Sequence, residues 1–279
     1  MPEDLTGKTV VITGASAGIG AAAARELAAR GATVVPVGRS ADKTRAVAGE
    51  LGVEPLIADF ASLDQVRSLA DRLLRRCPVI DVLAHNAGGV VPRREVTEDG
   101  FELTLQSNYL APFLLQALLH ERLSASRAQV IVTSSMGHRF GRISLADLNF
   151  ARRRFSSLRV YGSAKLADLI FARELARRTP ETGISAVAFH PGTVGSSFGR
   201  DSRGPVSLVY GTSAGRTLLL GNEQGAAPLV HLASLADPLS VNGRYFHRMR
   251  ADAPTSKQSR DPALARDLWD TTEAMLGLS

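Results

Sequence analysis

Short β-branched and apolar runs alternate along the chain with longer stretches in which apolar residues recur every three or four positions. Thr9 to Ile12 is the first such run, followed directly by Thr13-Gly-Ala-Ser-Ala-Gly-Ile-Gly20 and an alanine-rich helical stretch. Ala32 to Val37 reads as a second strand, Ala41 to Leu51 as a helix, and Pro55 to Ala58 as a third strand ending at Asp59. Ser62 reads as the N-cap of a helix reaching about Arg76, and Val79 to Ala84 as a buried strand ending in Asn86-Ala87-Gly88. One long helix is expected from about Phe101 to Leu123, carrying Asn108. Gln129 to Thr133 is the fifth strand, with Ser134-Ser135 at its end. A helix from about Ser157 to Arg178 holds Tyr161, and Ile184 to Phe189 is the sixth strand, closed by His190-Pro191-Gly192. Strands alternating with helices at this spacing predict an α/β fold, a doubly wound parallel sheet covered on both faces. No linker, repeat or low-complexity run divides the 279 residues, so a single domain is expected over residues 1–279.

Composition narrows the function classes. Apolar content of 44% supplies a core, and the net charge of +6 comes largely from scattered arginines. Nucleic-acid binding would want a basic stripe interleaved with aromatics, whereas aromatics make up only 5% and lie within apolar segments, so no nucleic-acid partner is expected. Arg152-Arg153-Arg154 reads as a solvated loop, with recognition of an acidic substrate as the competing reading. Cys77 is the only cysteine and cannot form an internal disulfide, which fits a reducing cytoplasm and a small packing residue. No signal peptide and no membrane span are expected, because the chain reaches its first strand almost at once and has no apolar run of spanning length. His85, His138 and His190 lack metal-ligand spacing, so no metal site is expected. A serine hydrolase is disfavoured because no G-x-S-x-G elbow occurs.

Three stretches point to chemistry. Strand, glycine turn and helix follow one another from Thr9, and Gly14 permits a tight turn, Gly18 a close approach of backbone to a pyrophosphate, and Gly20 close helix packing. Tyr161 and Lys165 are four residues apart and share a helix face, which sets an ammonium beside a phenol. Acid/base work near neutrality needs the phenol shifted by about 3 units, and one cation at about 4 Å would supply most of that. Val37-Gly38-Arg39-Ser40 ends the second strand, where an NAD site would place a carboxylate to bind the ribose hydroxyls. Gly38 leaves room there for a 2′-phosphate, and Arg39 offers donors to grip it, so NADP(H) is expected over NAD(H). The glycine turn, Asp59, Asn86, Ser135 and Pro191-Gly192 all fall at the carboxyl ends of strands, where ligands bind in such sheets.

With Thr13-Gly14-x-x-x-Gly18-x-Gly20, Asp59, Asn86-Ala87-Gly88, Asn108, Ser135, Tyr161-x-x-x-Lys165 and Pro191-Gly192 in order, the sequence resembles the short-chain dehydrogenase/reductase family over nearly its whole length. Within it, Ala58-Asp-Phe-Ala-Ser-Leu63, Leu145-Ala-Asp-Leu-Asn149, Leu268-Trp-Asp270 and the extended segment between Ser135 and Tyr161 are similar to the retinol-dehydrogenase-like branch. His85 departs from the asparagine usual there, and Phe60 from the usual leucine. The resemblance implies a Rossmann-type fold and hydride transfer between NADP(H) and a carbonyl or alcohol, with Asn108, Ser135, Tyr161 and Lys165 as the catalytic set. Tyr161 would give or take the proton, Lys165 would lower its pKa and hold the ribose, and Ser135 would bind the carbonyl oxygen. Ser134 competes with Ser135 for that part, but strand alternation turns it to the opposite side. Asn108 would position a water leading to Lys165, or else bond backbone within its helix. Gly14, Ser16, Gly18, Ile19, Gly20, Arg39, Asp59, Phe60, Asn86, Ala87, Gly88, Tyr161, Lys165, Pro191, Gly192 and Val194 make up the implied cofactor-binding set. Asn86 serves equally well as a tie between neighbouring strands.

Thr193 to about Leu220, rich in glycine and serine, reads as a lid whose apolar residues, together with the resemblance, suggest a lipophilic small-molecule substrate. The resemblance also implies that the helices carrying Asn108 and Tyr161 would pair in a homodimer. A cofactor-binding regulatory or scaffold protein is the rival class, and a dehydratase or epimerase the rival enzyme; intact Ser135, Tyr161 and Lys165 favour the oxidoreductase.

Overall fold

Seven strands form one parallel sheet in a computed structural model that describes residues 3–194 and 220–278. They are β1 (Thr9–Thr13), β2 (Thr33–Gly38), β3 (Leu56–Ile57), β4 (Val82–His85), β5 (Gln129–Thr133), β6 (Ser185–His190) and β7 (Tyr245–His247), in the spatial order β3-β2-β1-β4-β5-β6-β7. The order reverses between β1 and β4, which opens a crevice at the carboxyl ends of those two strands. Alternation along the strands feeds two cores. Val11, Leu83, Val130 and Ala186 pack on one face, whereas Val10, Ile12, Ile131 and Val187 pack on the other. The first core lies under α3 (Leu63–Arg76), α5 (Ala111–Leu118) and α7 (Ser157–Arg177), the second under α1 (Gly18–Ala29) and α9 (Asn222–Ala233), with the short α8 (Thr179–Thr182) between α7 and β6.

The local signals for α2 (Ala41–Leu51) and α3 hold to the residue. Ser62 Oγ accepts from the Gln65 amide at 3.4 Å, and Asp64 in the first turn with Arg75 and Arg76 in the last suit the helix dipole. Two expectations need correction. The helix expected from Phe101 to Leu123 is broken into α4 (Leu103–Leu105), a π-helical turn (Gln106–Leu110), α5 and α6 (His120–Ala125). Pro112 explains part of this, since it lacks the N–H that an α-helix would direct at the Asn108 carbonyl. The second correction is β7, three residues paired to β6 that are too short to show alternation. Of the expected lid, residues 195–219 lie outside the described residues.

α10 (Pro262–Leu276), capped by Asp261, closes the first core. Its Trp269 ring lies 4.8 Å from Phe113 and 5.8 Å from Phe171, and its indole N–H donates to Glu273 at 2.8 Å. The C-terminal helix therefore covers the faces of α5 and α7 that carry these rings. No helix among the described residues is long and apolar enough to cross a membrane. Trp269→Ala should lower the unfolding free energy by about 3 to 5 kcal/mol, read in a urea titration, because the site sits between two rings and the helix end cannot collapse into it.

Candidate active site

Glycines bring the elements of the crevice together. Gly14 has φ +68° and Gly18 φ +58°, a region open to residues without a Cβ, and the turn between them delivers the chain into α1. A Cβ on Gly14 would stand 2.8 Å from the Ala87 Cα, and one on Gly20 would strike the Gly14 carbonyl and stand 2.6 Å from Asn86 Nδ2. Ala17 offers no side-chain cap to α1, so the helix start presents backbone donors and positive dipole to the crevice. These features fit a bound pyrophosphate, with Ser16 and Ile19 on the same turn.

Asn86 is a tie between strands. Its Nδ2 donates to the Thr13 carbonyl at 3.1 Å and the Gly14 carbonyl at 3.4 Å, and its Oδ1 accepts from Thr133 Oγ1 at 3.4 Å. The amides of Asn86 and Ala87 both donate to Thr13 Oγ1 at 3.0 Å. β1, β4 and β5 are thereby locked at the point where the crevice opens. Asp59 accepts from the Ala61 amide at 3.0 Å, which shapes the turn after β3, and Phe60 beside it is buried.

At the end of β2, Arg39 is exposed and has no hydrogen-bond or ion-pair partner among the described residues. Gly38 precedes it as the last residue of β2. A Cβ there would strike Thr44 Oγ1 and stand 3.0 Å from the Ser16 Cβ. Thr44 is held in place by its hydroxyl, which donates to the Ser40 carbonyl at 2.6 Å.

Ser135, Tyr161 and Lys165 meet at the carboxyl end of β5. Ser135 caps a 3-10 turn (Met136–Arg139), its Oγ accepting from the Gly137 amide at 3.1 Å. A Cβ on Gly137 would lie 3.3 Å from the Tyr161 ring and 3.5 Å from Ser135 Oγ, so the tyrosine ring and the serine hydroxyl border the same space beside this glycine. Ser134 is turned away, its Oγ donating to the Lys165 carbonyl at 2.8 Å. Lys165 Nζ donates to the Thr133 carbonyl at 3.0 Å and to Asp168 Oδ2 at 2.9 Å. It lies 5.8 Å from the centre of the Tyr161 ring and shares its charge with a carboxylate. The effect of a single nearby cation is correspondingly reduced. Gly88 also reaches this point, since a Cβ there would stand 3.2 Å from Lys165 Nζ and strike Asn108 Oδ1.

Asn108 bonds backbone with its side chain: Oδ1 accepts from the Gly89 amide at 3.0 Å, and Nδ2 donates to the Gly89 and Thr104 carbonyls at 2.9 and 2.8 Å. The π-helical turn and Pro112 set its main chain apart from an ordinary helix, as such turns do at functional sites. Gly192 (φ +97°) leads from β6 to the buried Val194, which bridges Leu220 and meets Gly225. Two contributors escaped the sequence reading. His138 ring Nδ1 donates to the Ser135 carbonyl at 2.6 Å and fixes that turn from behind. Asp168 meets the lysine one helical turn on, a spacing of three residues that could have signalled it. The middle of the arginine cluster is structural, with Arg153 bound to Asp147 at 3.0 Å and lying over Phe150. Among the described residues no group of three His, Cys, Asp or Glu side chains is placed to hold a metal.

The short chain dehydrogenase family profile matches residues 8–205. A Streptomyces protein named as a candidate daunorubicin C-13 ketoreductase is 44% identical over 98% of this chain and 94% of its own. Human retinol dehydrogenase 13 is 34% identical over 98% of this chain and 86% of its own. Among solved structures, an uncharacterised protein from Mycobacterium paratuberculosis superposes with a TM-score of 0.80 at 32% identity, over 99% of this chain and 96% of that one. A Burkholderia cenocepacia short chain dehydrogenase in complex with NADP superposes with a TM-score of 0.67 at 25% identity, over 88% of this chain and 97% of that one.

Buried histidines beside the site make the fold sensitive to acid. Burial, and then the charge of Lys165, lowers the His85 pKa to about 3, and burial, followed by His247 and His138, lowers that of His190 to about 4. Both folded values lie below the unfolded one, so the unfolded chain takes up these protons first and stability falls as pH drops below about 6.5. Asp168, which burial raises to about 6, opposes this by one proton. Unfolding free energy measured in urea should therefore fall by about 2 kcal/mol between pH 7 and pH 5, and His85→Asn should remove most of that fall.

Proposed function

The chain belongs to the short-chain dehydrogenase family, and on that footing we propose that it is an NADP(H)-dependent oxidoreductase interconverting a lipophilic carbonyl compound and its alcohol. The approach of Ser135 and Tyr161 on the space beside Gly137, with Lys165 Nζ 5.8 Å from the centre of the tyrosine ring, carries this reading. Tyr161 is the proton donor to the carbonyl oxygen in reduction and the acceptor from the alcohol in oxidation. Ser135, on a turn held by the Gly137 amide and by His138, binds that oxygen and stabilises the charge developing on it. The charge on Lys165 favours the phenolate, and its remaining N–H serves the ribose. When bound, the nicotinamide supplies or accepts the hydride. The turn from Gly14 to Gly20 cradles the pyrophosphate, Asp59 and Phe60 line the adenine side with Asn86 to Gly88, and Pro191, Gly192 and Val194 border the carboxamide. Asn108 orders a water toward Lys165 through its main chain, a role helped by the donor that Pro112 lacks.

Preference for NADP(H) is supported by the exposed, unpartnered Arg39 at the end of β2 and by the NADP complex of the Burkholderia relative. A lipophilic substrate is supported by Leu158, half exposed on the Tyr161 face one turn earlier, by Phe140, 79% exposed beyond the Ser135 turn, and by the names of the ketoreductase and retinol dehydrogenase relatives. A reducing cytoplasm suits the free, buried Cys77.

Loss of absorbance by NADPH against a panel of apolar ketones and aldehydes tests the activity. Tyr161→Phe should lower kcat by about 100- to 10,000-fold with cofactor affinity nearly unchanged, and retained turnover would sink the assignment. Arg39→Ala should weaken NADPH binding roughly 10- to 150-fold in a fluorescence titration, as the loss of one charge-assisted bond implies, and leave NADH binding within twofold.

A further inference from the structure

Asp168 takes no part in the chemistry just described, yet it is among the most secluded charges of the chain. It follows Lys165 by three residues on α7, and the two side chains, 5% and 2% exposed, meet at 2.9 Å. The Thr133 carbonyl at 3.0 Å is the other acceptor for the ammonium. The titratable groups facing the pair are few. His85 on β4 is buried with both ring nitrogens unpartnered and is neutral at pH 7. Tyr109 in the π-helical turn is a buried phenol bonded to Thr272 at 2.7 Å, and Tyr161 lies on the same helix as the pair. Asp168 is therefore the carboxylate that faces this cation. An ammonium removed from water sheds its proton unless an opposite charge holds it, and a neutral amine would leave the phenol without its cation. Burial works to lower the Lys165 pKa, and the Asp168 charge leads the effects that raise it instead.

We propose that Asp168 is a positioning residue for the reaction: its carboxylate keeps the buried Lys165 an ammonium ion and pins it against the end of β5. The part this plays in turnover rests on the reading of the site given above, whereas the state of the lysine does not. Lys8, Lys43, Lys165 and Lys257 are the chain's lysines, so labelling at the lysine ε-carbon gives a simple spectrum, assigned by replacing each of the other three with arginine.

In the wild type the Lys165 resonance should stay that of an ammonium to the alkaline limit of the fold. In Asp168→Asn it should titrate with at least tenfold weaker proton affinity, and Asp168→Glu should restore it. An unchanged titration in Asp168→Asn overturns the proposal. If Asp168→Asn does not fold, the double variant Lys165→Met with Asp168→Leu should recover melting toward the wild type, because the stranded charge has gone; a double variant as unstable as the single one also overturns it. With NADP and an alcohol substrate, where Tyr161 must act as the phenolate, the pH midpoint of kcat/KM in Asp168→Asn should move upward by about one unit or more relative to the wild type, with rescue by glutamate. Absence of wild-type turnover would refute the activity, and the resonance would still decide the pair.

Discussion

A buried ammonium must be surrounded by oxygen, and that demand fixes where the elements of this molecule meet. Lys165 reaches from α7 to the last carbonyl of β5, while Ser134, just beyond β5, returns a bond to the Lys165 carbonyl, so helix and strand end are stapled in both directions. With the helix so placed, Tyr161 stands one turn earlier over the Gly137 turn, where Ser135 is capped. The charge is compatible with burial because Asp168 accompanies it. Packing around α7 then follows, with nearly every residue from Val160 to Phe171 buried.

Close backbone approach is the second requirement, and glycine meets it where a side chain would collide. Gly162, between the tyrosine and the lysine, lets the segment after Ser135 lie on the helix, for a Cβ there would stand 2.6 Å from the Gly137 carbonyl. Ser163 completes that contact, accepting from the Arg142 amide at 3.0 Å and donating to the Arg142 carbonyl at 3.1 Å. The residues between Tyr161 and Lys165 are thus engaged in docking the strand-end turn. Gly20 and Gly14 do the same across the crevice, with the Asn86 amide as the clamp.

Strength of local signal decided how much could be read in advance. α2 and α3 were legible because caps and terminal charges act within a turn of the residues that carry them. The five longer strands were legible because short apolar runs bounded by turn and helix signals have few other uses. The break in the Asn108 helix was announced by Pro112, but its form as a π-helical turn depends on Gly88 and Gly89 docking against Asn108 from a distant loop. β7 was illegible because three residues paired at the edge of a sheet leave no periodicity.

The order of strand ends, the glycine turn and the Tyr161 to Lys165 spacing are local patterns, and from them the sequence alone determined a doubly wound sheet with a glycine turn at its crevice and a tyrosine and a lysine on one helix face beside it. Tertiary structure decided what each polar group touches. Asn86 resolved into a tie across three strands, Thr44 packed where a side chain on Gly38 would stand, and Lys165 gained Asp168 as its counter-ion. These outcomes depend on distances between chain segments and on which groups are removed from water together, and neither quantity is carried by residue spacing along one strand or helix.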